Sequence, residues 1–196
     1  MNSTVELPRW LEGRAHLAPW YDEQEKGRVR EHGMVPRWEL LTALIRAHGF
    51  ARICEMGVGQ GLNAGHILEE CGRFIDLMVL VDKSRHEEFA RRIEAEGWPA
   101  HYLEMLSVHA AALYPPRHFD LVFIDACHDY RDVREDIDAW LPKVRPGGIL
   151  AGHDWSLPQT GVREAVLETL ALNSINIAED PASGGKKWCW WALVSL

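Results

Sequence analysis

From Phe50 onward, short apolar runs alternate with segments of helical periodicity. Runs such as 77–81 and 121–124 are continuously hydrophobic, which is typical of strands buried on both faces of a parallel sheet. The pattern predicts strands over Arg52–Met56, Leu77–Asp82, His101–Glu104, Leu121–Asp125 and Ile149–Gly152, and helices over Pro36–Ala47, Asn63–Cys71, His86–Glu96, Asp129–Leu141 and Val162–Leu170. This alternation predicts a doubly wound α/β sheet, mostly parallel, with helices on both faces.

The C-terminal tail does not follow this alternation of strands and helices. Ser174–Ala178 and Trp188–Val194 are strand-like runs with no helix between them. Because a short loop joins antiparallel strands, the last strand is predicted to enter the sheet antiparallel. Its three tryptophans are predicted to pack at the sheet edge or in a homo-oligomer interface rather than to form an aromatic substrate cage.

The chain length of 196 residues suits one domain with a substantial core. Residues 1–33 are polar, with interspersed aromatic residues and no clear strand pattern. They are predicted to form an N-terminal helical arm or lid in front of a main domain over 34–196.

The composition limits which kinds of molecule the protein is expected to bind. The formal net charge is −8, which disfavours nucleic-acid binding because that binding depends on clustered Lys and Arg. No apolar run has the length of a membrane span, so neither export nor membrane insertion is expected. The four cysteines lack CxxC spacing and are predicted to be small buried hydrophobes in a reducing cytoplasm. A small-molecule partner is therefore favoured.

Three alternate glycines, Gly57, Gly59 and Gly61, directly follow the first predicted strand. Such a turn lets the backbone approach a ligand closely and points free amide groups at it. A nicotinamide dinucleotide site has GxGxxG spacing instead, and the preceding Glu55 suits a cationic or amine-bearing ligand better than a pyrophosphate. From the glycines alone, an ordinary tight turn stays an equal alternative.

A carboxylate, Asp82, stands at the end of the second predicted strand. In a doubly wound nucleotide site, a carboxylate ~20 residues after the glycine loop holds the ribose hydroxyls. Asp82 is therefore predicted to bind a ribose.

The most specific pattern lies in two later segments. Residues 119–130 contain FIDxxHxY, and residues 145–155 contain PGGxxxxHD. Together with the glycine turn they resemble a subgroup of the Rossmann-like (class I) S-adenosylmethionine-dependent methyltransferases. That subgroup is close to macrocin-type and cephalosporin-type enzymes and more distantly related to catechol O-methyltransferase. The resemblance covers about residues 35–170, and it implies that 34–196 forms the cofactor-binding domain.

The resemblance also implies which residues bind S-adenosylmethionine. In that family the glycine turn and the acidic residue before it contact the amino-acid end of the cofactor, and a segment after the third strand lines the adenine. The implied cofactor-binding residues are Glu55, Gly57, Gly59, Gly61, Asp82, Met105, Ser107 and Asp125.

A metal site is implied by the same resemblance. Asp125, His153 and Asp154 end two strands that should be neighbours at the ligand-binding edge. In the resembling O-methyltransferases these positions hold a divalent cation, and an oxygen-rich set suits Mg²⁺ or Mn²⁺. Catechol O-methyltransferase has Asp and Asn where this chain has His153 and Asp154. In the alternative interpretation, the aspartates cap loops and His153 hydrogen-bonds within the site.

His128 is the predicted general base. It follows Asp125 by three residues, where the catechol enzyme has a catalytic lysine, and imidazole has an ordinary pKa near neutrality. The alternative is a histidine that orders the start of the following helix.

These features predict methyl transfer from S-adenosylmethionine to a small-molecule hydroxyl, with His128 and Asp125 as catalytic residues. Two alternatives stay open: an NAD-dependent oxidoreductase and a non-catalytic protein that binds S-adenosylmethionine. A thermal-shift comparison of the two cofactors separates the first, and tight cofactor binding without turnover on any acceptor identifies the second.

Overall fold

Eight strands form one sheet in the computed structural model, which describes residues 29–155, 161–170, 175–184 and 187–195. The strands are β1 (Val29–Met34), β2 (Arg52–Met56), β3 (Leu77–Asp82), β4 (Ala100–Glu104), β5 (Phe119–Ile124), β6 (Val144–Gly152), β7 (Ile175–Asp180) and β8 (Lys187–Leu193). The helices are α1 (Arg37–His48), α2 (Leu62–Cys71), α3 (Glu87–Glu96), α4 (Ser107–Ala111), α5 (Tyr130–Trp140) and α6 (Val162–Thr169).

The strand order is β1-β7-β8-β6-β5-β2-β3-β4. Strand β8 runs antiparallel to both of its neighbours, and the other pairs are parallel. This order confirms the predicted α/β class and the antiparallel last strand. The chain winds outward in opposite directions from β2 and β5, so a crevice forms at the carboxyl ends of these two strands.

The core lies on both faces of the sheet because successive strand residues point to opposite sides. In β2, Ile53 packs with apolar residues of α1, α2 and α3, whereas Cys54 and Met56 pack with those of α4, α5 and α6. Each amphipathic helix thus buries its apolar stripe against one face. The predicted two-sided helix arrangement is confirmed.

Two strands differ from the sequence analysis. Strand β1 was not predicted, because its sequence is largely polar and it pairs with only one neighbour, β7. Residues 29–33 therefore belong to the sheet, while 1–28 of the predicted arm lie outside the described residues. Strand β6 begins at Val144 rather than Ile149, because 145–148 bulge within its pairing with β5.

The structure also corrects the predicted positions of the C-terminal tryptophans and the predicted burial of the cysteines. Trp188, Trp190 and Trp191 are buried in β8, which lies inside the sheet rather than at its edge. All four cysteines are unpaired, but Cys127 is exposed, which corrects the expectation that all four are buried. Among the described helices, none has the length and apolar character needed to cross a membrane.

Candidate active site

The carboxyl ends of β2 and β5 open into a cleft of about 660 Å³. Backbone hydrogen bonds join the end of β2 to both of its neighbours: the Gly57 N–H donates to the Val81 carbonyl of β3, and the Asp125 N–H, just after β5, donates to the Met56 carbonyl, both at 2.9 Å. A cleft of this size suits a nucleotide-sized ligand. The cleft lies at the switch point of the sheet, where the sequence analysis placed the cofactor.

The glycine turn needs its glycines for two different reasons. Gly57, Gly59 and Gly61 all have left-handed φ, at 79°, 53° and 79°. A Cβ on Gly57 would lie 1.9 Å from the Asp125 carbonyl oxygen, and one on Gly61 would lie 2.2 Å from the Phe89 ring. A Cβ on Gly59 would meet nothing within 4 Å, so only its φ requires glycine there.

Asp82 lies in the cleft wall and orders the glycine turn. Its carboxylate accepts hydrogen bonds from the N–H of Gly59 at 2.9 Å and of Ser84 at 3.1 Å. A carboxylate has about four acceptor sites, so capacity for two ligand hydroxyls remains.

Glu55 lies beneath the turn and is only 2% exposed. Burial, together with the nearby negative charge of Asp125, raises the pKa of Glu55 to about 8. Within the described part of the chain, its Oε2 accepts no hydrogen bond of normal geometry, although the amide of buried Asn63 lies close enough to lower the pKa of the carboxyl in part. Unsatisfied buried polar atoms of this kind are rare, and a cationic ligand group would satisfy the carboxyl oxygen.

The predicted adenine segment also reaches the cleft. Met105 and Ser107 both line it. The Ser107 hydroxyl accepts a hydrogen bond from Trp140 Nε1 at 2.8 Å and donates to Met56 Sδ at 3.0 Å. Ser107 is therefore held by protein groups and shapes the wall.

Sequence reasoning missed one wall of the cleft, an acidic face of α5. Asp132, Glu135 and Asp136 line the cleft from this helix. Burial raises the pKa of Asp136 to about 6. Their spacing of three and four residues places them on one helical face, and that spacing was the available signal.

A second group of charged residues lies where β5, β6 and β7 end, and we call it the aspartate–histidine cluster. Its members are Asp125, His128, His153, Asp154 and Asp180. His128 Nε2 lies 2.9 Å from Asp154 Oδ2 and 4.0 Å from Asp125 Oδ1. His128 is half-exposed and lines the cleft, whereas Asp154 is buried. The structure thus places a cleft-facing imidazole on a buried carboxylate.

His153 has both ring nitrogens engaged. Its Nδ1 lies 3.1 Å from Asp154 Oδ2, and its Nε2 lies 3.1 Å from Asp180 Oδ2. An ionised carboxylate only accepts hydrogen bonds, so with both carboxylates ionised both nitrogens carry hydrogen and the ring is an imidazolium. Burial alone would lower the pKa of His153, but Asp125, Asp154 and Asp180 raise it to about 10.

Two cations that the sequence analysis missed complete the cluster. Lys187 Nζ lies 3.0 Å from Asp154 Oδ1, and Arg37 lies 3.8 Å from Asp125 and 3.6 Å from Asp180. Lys187 opens antiparallel β8 opposite Asp180, so it lies at the edge where the parallel strands end. Asp180 could have been found because it closes a strand, as Asp82 does. Nothing in the sequence signalled Arg37.

The cluster shifts the proton affinities of its members in opposite directions. Asp125 and Asp154 raise the pKa of His128 to about 9 because they stabilise its imidazolium form. Burial would raise the pKa of Asp154, but His128, His153 and Lys187 hold it well below its usual range. The free protein therefore carries a protonated His128 at neutral pH.

The donor set for a divalent cation differs from the predicted one. Ligand atoms of Asp125, His128 and Asp154 lie within 4.8 Å of one another, whereas His153 has no free nitrogen. Without counting His128, however, the positive charges of Arg37, His153 and Lys187 already balance the three carboxylates of the cluster. A divalent ion would leave excess positive charge in a largely buried site, so the residues present do not fit one.

A protein-family model described as "Methyltransferase domain" matches residues 54–155, just over half of the chain. The chain belongs to this methyltransferase family. The match confirms the predicted family and disfavours the NAD-dependent oxidoreductase. No curated protein matches the sequence.

Solved structures of similar fold include three that hold ligands. Cofactor-bound Rv0187 from MTB has a TM-score of 0.65 at 19% identity, covering 97% of this methyltransferase and 84% of that chain. The O-methyltransferase TomG from Streptomyces achromogenes, in complex with SAM, has a TM-score of 0.64 at 20% identity, covering 82% and 80%. The Burkholderia thailandensis 1,6-didemethyltoxoflavin-N1-methyltransferase, with S-adenosylhomocysteine, has a TM-score of 0.59 at 16% identity, covering 81% and 78%. At these identities the likeness shows the shared fold.

Proposed function

We propose that this protein transfers a methyl group from S-adenosylmethionine to a hydroxyl of a small molecule. The observation that carries the proposal is the cleft itself. Its glycine turn lies above buried Glu55, whose Oε2 accepts no hydrogen bond of normal geometry, and its wall holds Asp82 and His128. The cofactor-bound fold neighbours support the choice of cofactor, and the O-methyltransferase TomG supports an oxygen acceptor.

The residues around the cleft suit each part of this cofactor. Glu55 would hold the amino-acid end, because its buried oxygen is an acceptor. The glycine turn would let the backbone approach the cofactor closely, although the N–H groups of Gly57, Gly59 and Gly61 already donate to protein oxygens. Asp82 would accept hydrogen bonds from the ribose hydroxyls, and Met105 and Ser107 would flank the adenine. Bound S-adenosylmethionine supplies an electrophilic methyl group on a positively charged sulfur.

His128 is the proposed base for the acceptor hydroxyl. Its half-exposed ring faces the cleft, and Asp154 anchors it at 2.9 Å. A nearby sulfonium would oppose the effect of the aspartates and favour the neutral ring, which can take a proton. Asp125 would keep the ring oriented, and the cleft would bring the two reactants into line.

The proposed acceptor is a small molecule in the cytosol. The net charge of −8 opposes a nucleic-acid acceptor, and free thiols persist in a reducing compartment. Within the family, the proposed subgroup is the one with the FIDxxHxY and PGGxxxxHD segments.

Titration calorimetry of the purified protein tests the cofactor assignment. S-adenosylmethionine and S-adenosylhomocysteine should each bind at one site per chain, and NAD should release no heat of binding. Uptake of neither methionine-derived compound would overturn the proposal.

Release of S-adenosylhomocysteine over a panel of phenols, sugars and amines tests the transfer. Turnover with hydroxyl acceptors is the expected result. Cofactor binding without turnover on any acceptor would favour the non-catalytic alternative, and turnover with amines alone would contradict oxygen as the acceptor atom.

A further inference from the structure

The positive charges of the aspartate–histidine cluster come from three different parts of the fold. Arg37 opens α1, Lys187 opens β8, and His153 follows β6. Each lies against a carboxylate, at distances between 3.0 and 3.8 Å. The guanidinium of Arg37 and the ammonium of Lys187 each carry one positive charge. Both ring nitrogens of His153 lie 3.1 Å from a carboxylate oxygen, and with those carboxylates ionised the ring carries a positive charge.

These charges cancel before His128 or any ligand is counted. Arg37, Lys187 and the His153 imidazolium contribute three positive charges, and Asp125, Asp154 and Asp180 contribute three negative ones. The side chains of Asp154 and Asp180 are at most 1% exposed, so water cannot compensate for an imbalance there. Buried charges are stable only when they are matched, and this buried set is matched. The further positive charge of protonated His128 lies on a side chain that is half-exposed to water.

A divalent cation would have to displace one of these partners. Asp154 Oδ2 already receives N–H donors from His128 at 2.9 Å and from His153 at 3.1 Å, and its Oδ1 faces Lys187. Arg37 occupies the side of Asp125 that bears Oδ2. Coordination by the two carboxylates would break these contacts and add two positive charges to a set that is already neutral without His128.

We infer that Arg37 and Lys187 occupy the electrostatic place of a divalent cation, so that this centre neither binds nor needs one. The claim that the centre does not bind a divalent cation is independent of methyl transfer. The claim that it does not need one for catalysis rests on the proposed function. Lys187 and Arg37 act through the aspartates as positioning residues. Without them, the same carboxylates should become a cation site.

Mn²⁺ binding, followed by electron paramagnetic resonance and by thermal shift, tests the inference without an activity assay. The wild type should show no saturable binding up to about 1 mM Mn²⁺, the weak end of protein cation sites. Lys187→Met leaves Asp154 Oδ1 without its ammonium and should bind Mn²⁺ about tenfold tighter or more. Lys143→Met is the matched control, because Lys143 bonds a backbone carbonyl, that of Tyr114, and should gain nothing.

Arg37→Gln is the second variant, and it tests the Asp125 side if Lys187→Met does not fold. The inference fails if the wild type binds one Mn²⁺ that Asp154→Asn abolishes, or if neither variant gains binding. EDTA should leave S-adenosylmethionine binding and turnover of the wild type unchanged. A wild type that binds both Mn²⁺ and S-adenosylmethionine overturns only this inference, and one that binds neither overturns only the proposed function.

Discussion

The glycine turn spans consecutive residues between β2 and α2, whereas the aspartate–histidine cluster draws on the ends of β5, β6, β7 and β8 and on α1. The turn is shaped by steric exclusion, since Gly57 has no room for a Cβ beside the Asp125 backbone. The cluster is held by matched charges around buried Asp154 and Asp180. Substitutions in the turn should therefore destabilise the protein by steric overlap with neighbouring atoms. Substitutions in the cluster should destabilise it by leaving a buried charge without a partner.

Gly57→Ala should have the largest effect. Its Cβ would lie 1.9 Å from a backbone oxygen that cannot move without separating β2 from β5. We expect a loss of more than about 4 kcal/mol in the free energy of unfolding, measured by denaturant titration. Gly59→Ala is the control: it has open space and only an unfavourable φ, so about 1 kcal/mol is expected. Equal losses in both variants would contradict the steric argument.

Asp154→Asn should come next. The change removes the carboxylate between His128, His153 and Lys187, and it leaves their positive charges unmatched in a buried site. A loss of about 3 kcal/mol in unfolding free energy is expected by thermal or chemical denaturation. Asp138→Asn, on an exposed ion pair with Arg134, should change stability by less than about 1 kcal/mol. A stable Asp154→Asn protein would show that the cluster is not held by charge.

His128→Gln should reduce kcat/KM by about 100-fold while the protein stays folded, because the side chain is 41% exposed. His101→Gln, at an exposed position of β4, is the control. Since the folded pKa of His128 is about 9, wild-type kcat/KM should rise up to that pH as the neutral base forms. A profile that is flat from pH 7 to pH 9 would argue against His128 as the base.

The same pKa predicts an opposite trend in stability. The folded pKa of about 9 lies above the ordinary value of 6.5, so the protonated ring stabilises the fold. That contribution is complete below pH 6.5 and is lost as the pH rises through about 9. The wild type should therefore lose stability over this window relative to His128→Gln, as measured by thermal denaturation in matched buffers.

Asp82→Asn should have the smallest effect of the series. The amide retains one acceptor oxygen toward the Gly59 N–H, but it loses the charge that strengthens hydrogen bonds with the ribose. We expect S-adenosylmethionine affinity to fall about tenfold in calorimetry, which corresponds to about 1.4 kcal/mol. Asp76→Asn is the control: Asp76 lies outside the cleft, so this variant should bind the cofactor normally. Unchanged affinity in Asp82→Asn would remove Asp82 from the cofactor site.

The parts predicted from sequence share one property, which is that local periodicity or spacing specifies them. The buried runs of β3 and β5 and the glycine turn with Glu55 were identified in this way. Strand β1 escaped prediction because an edge strand needs little apolar character. The bulge at the start of β6 escaped because its Pro-Gly-Gly segment has the composition of an ordinary turn.

By itself, the sequence determined the alternation of strands and helices, the glycine turn, and the aspartates Asp82, Asp125 and Asp154 at the ends of β3, β5 and β6. Each of these depends on neighbours within a few residues. Only the tertiary structure decided that His153 is enclosed by carboxylates, that His128 faces the cleft, and that Arg37 and Lys187 neutralise the aspartates. Charge matching in a buried site depends on distances between residues far apart in the chain, and folding alone sets those distances.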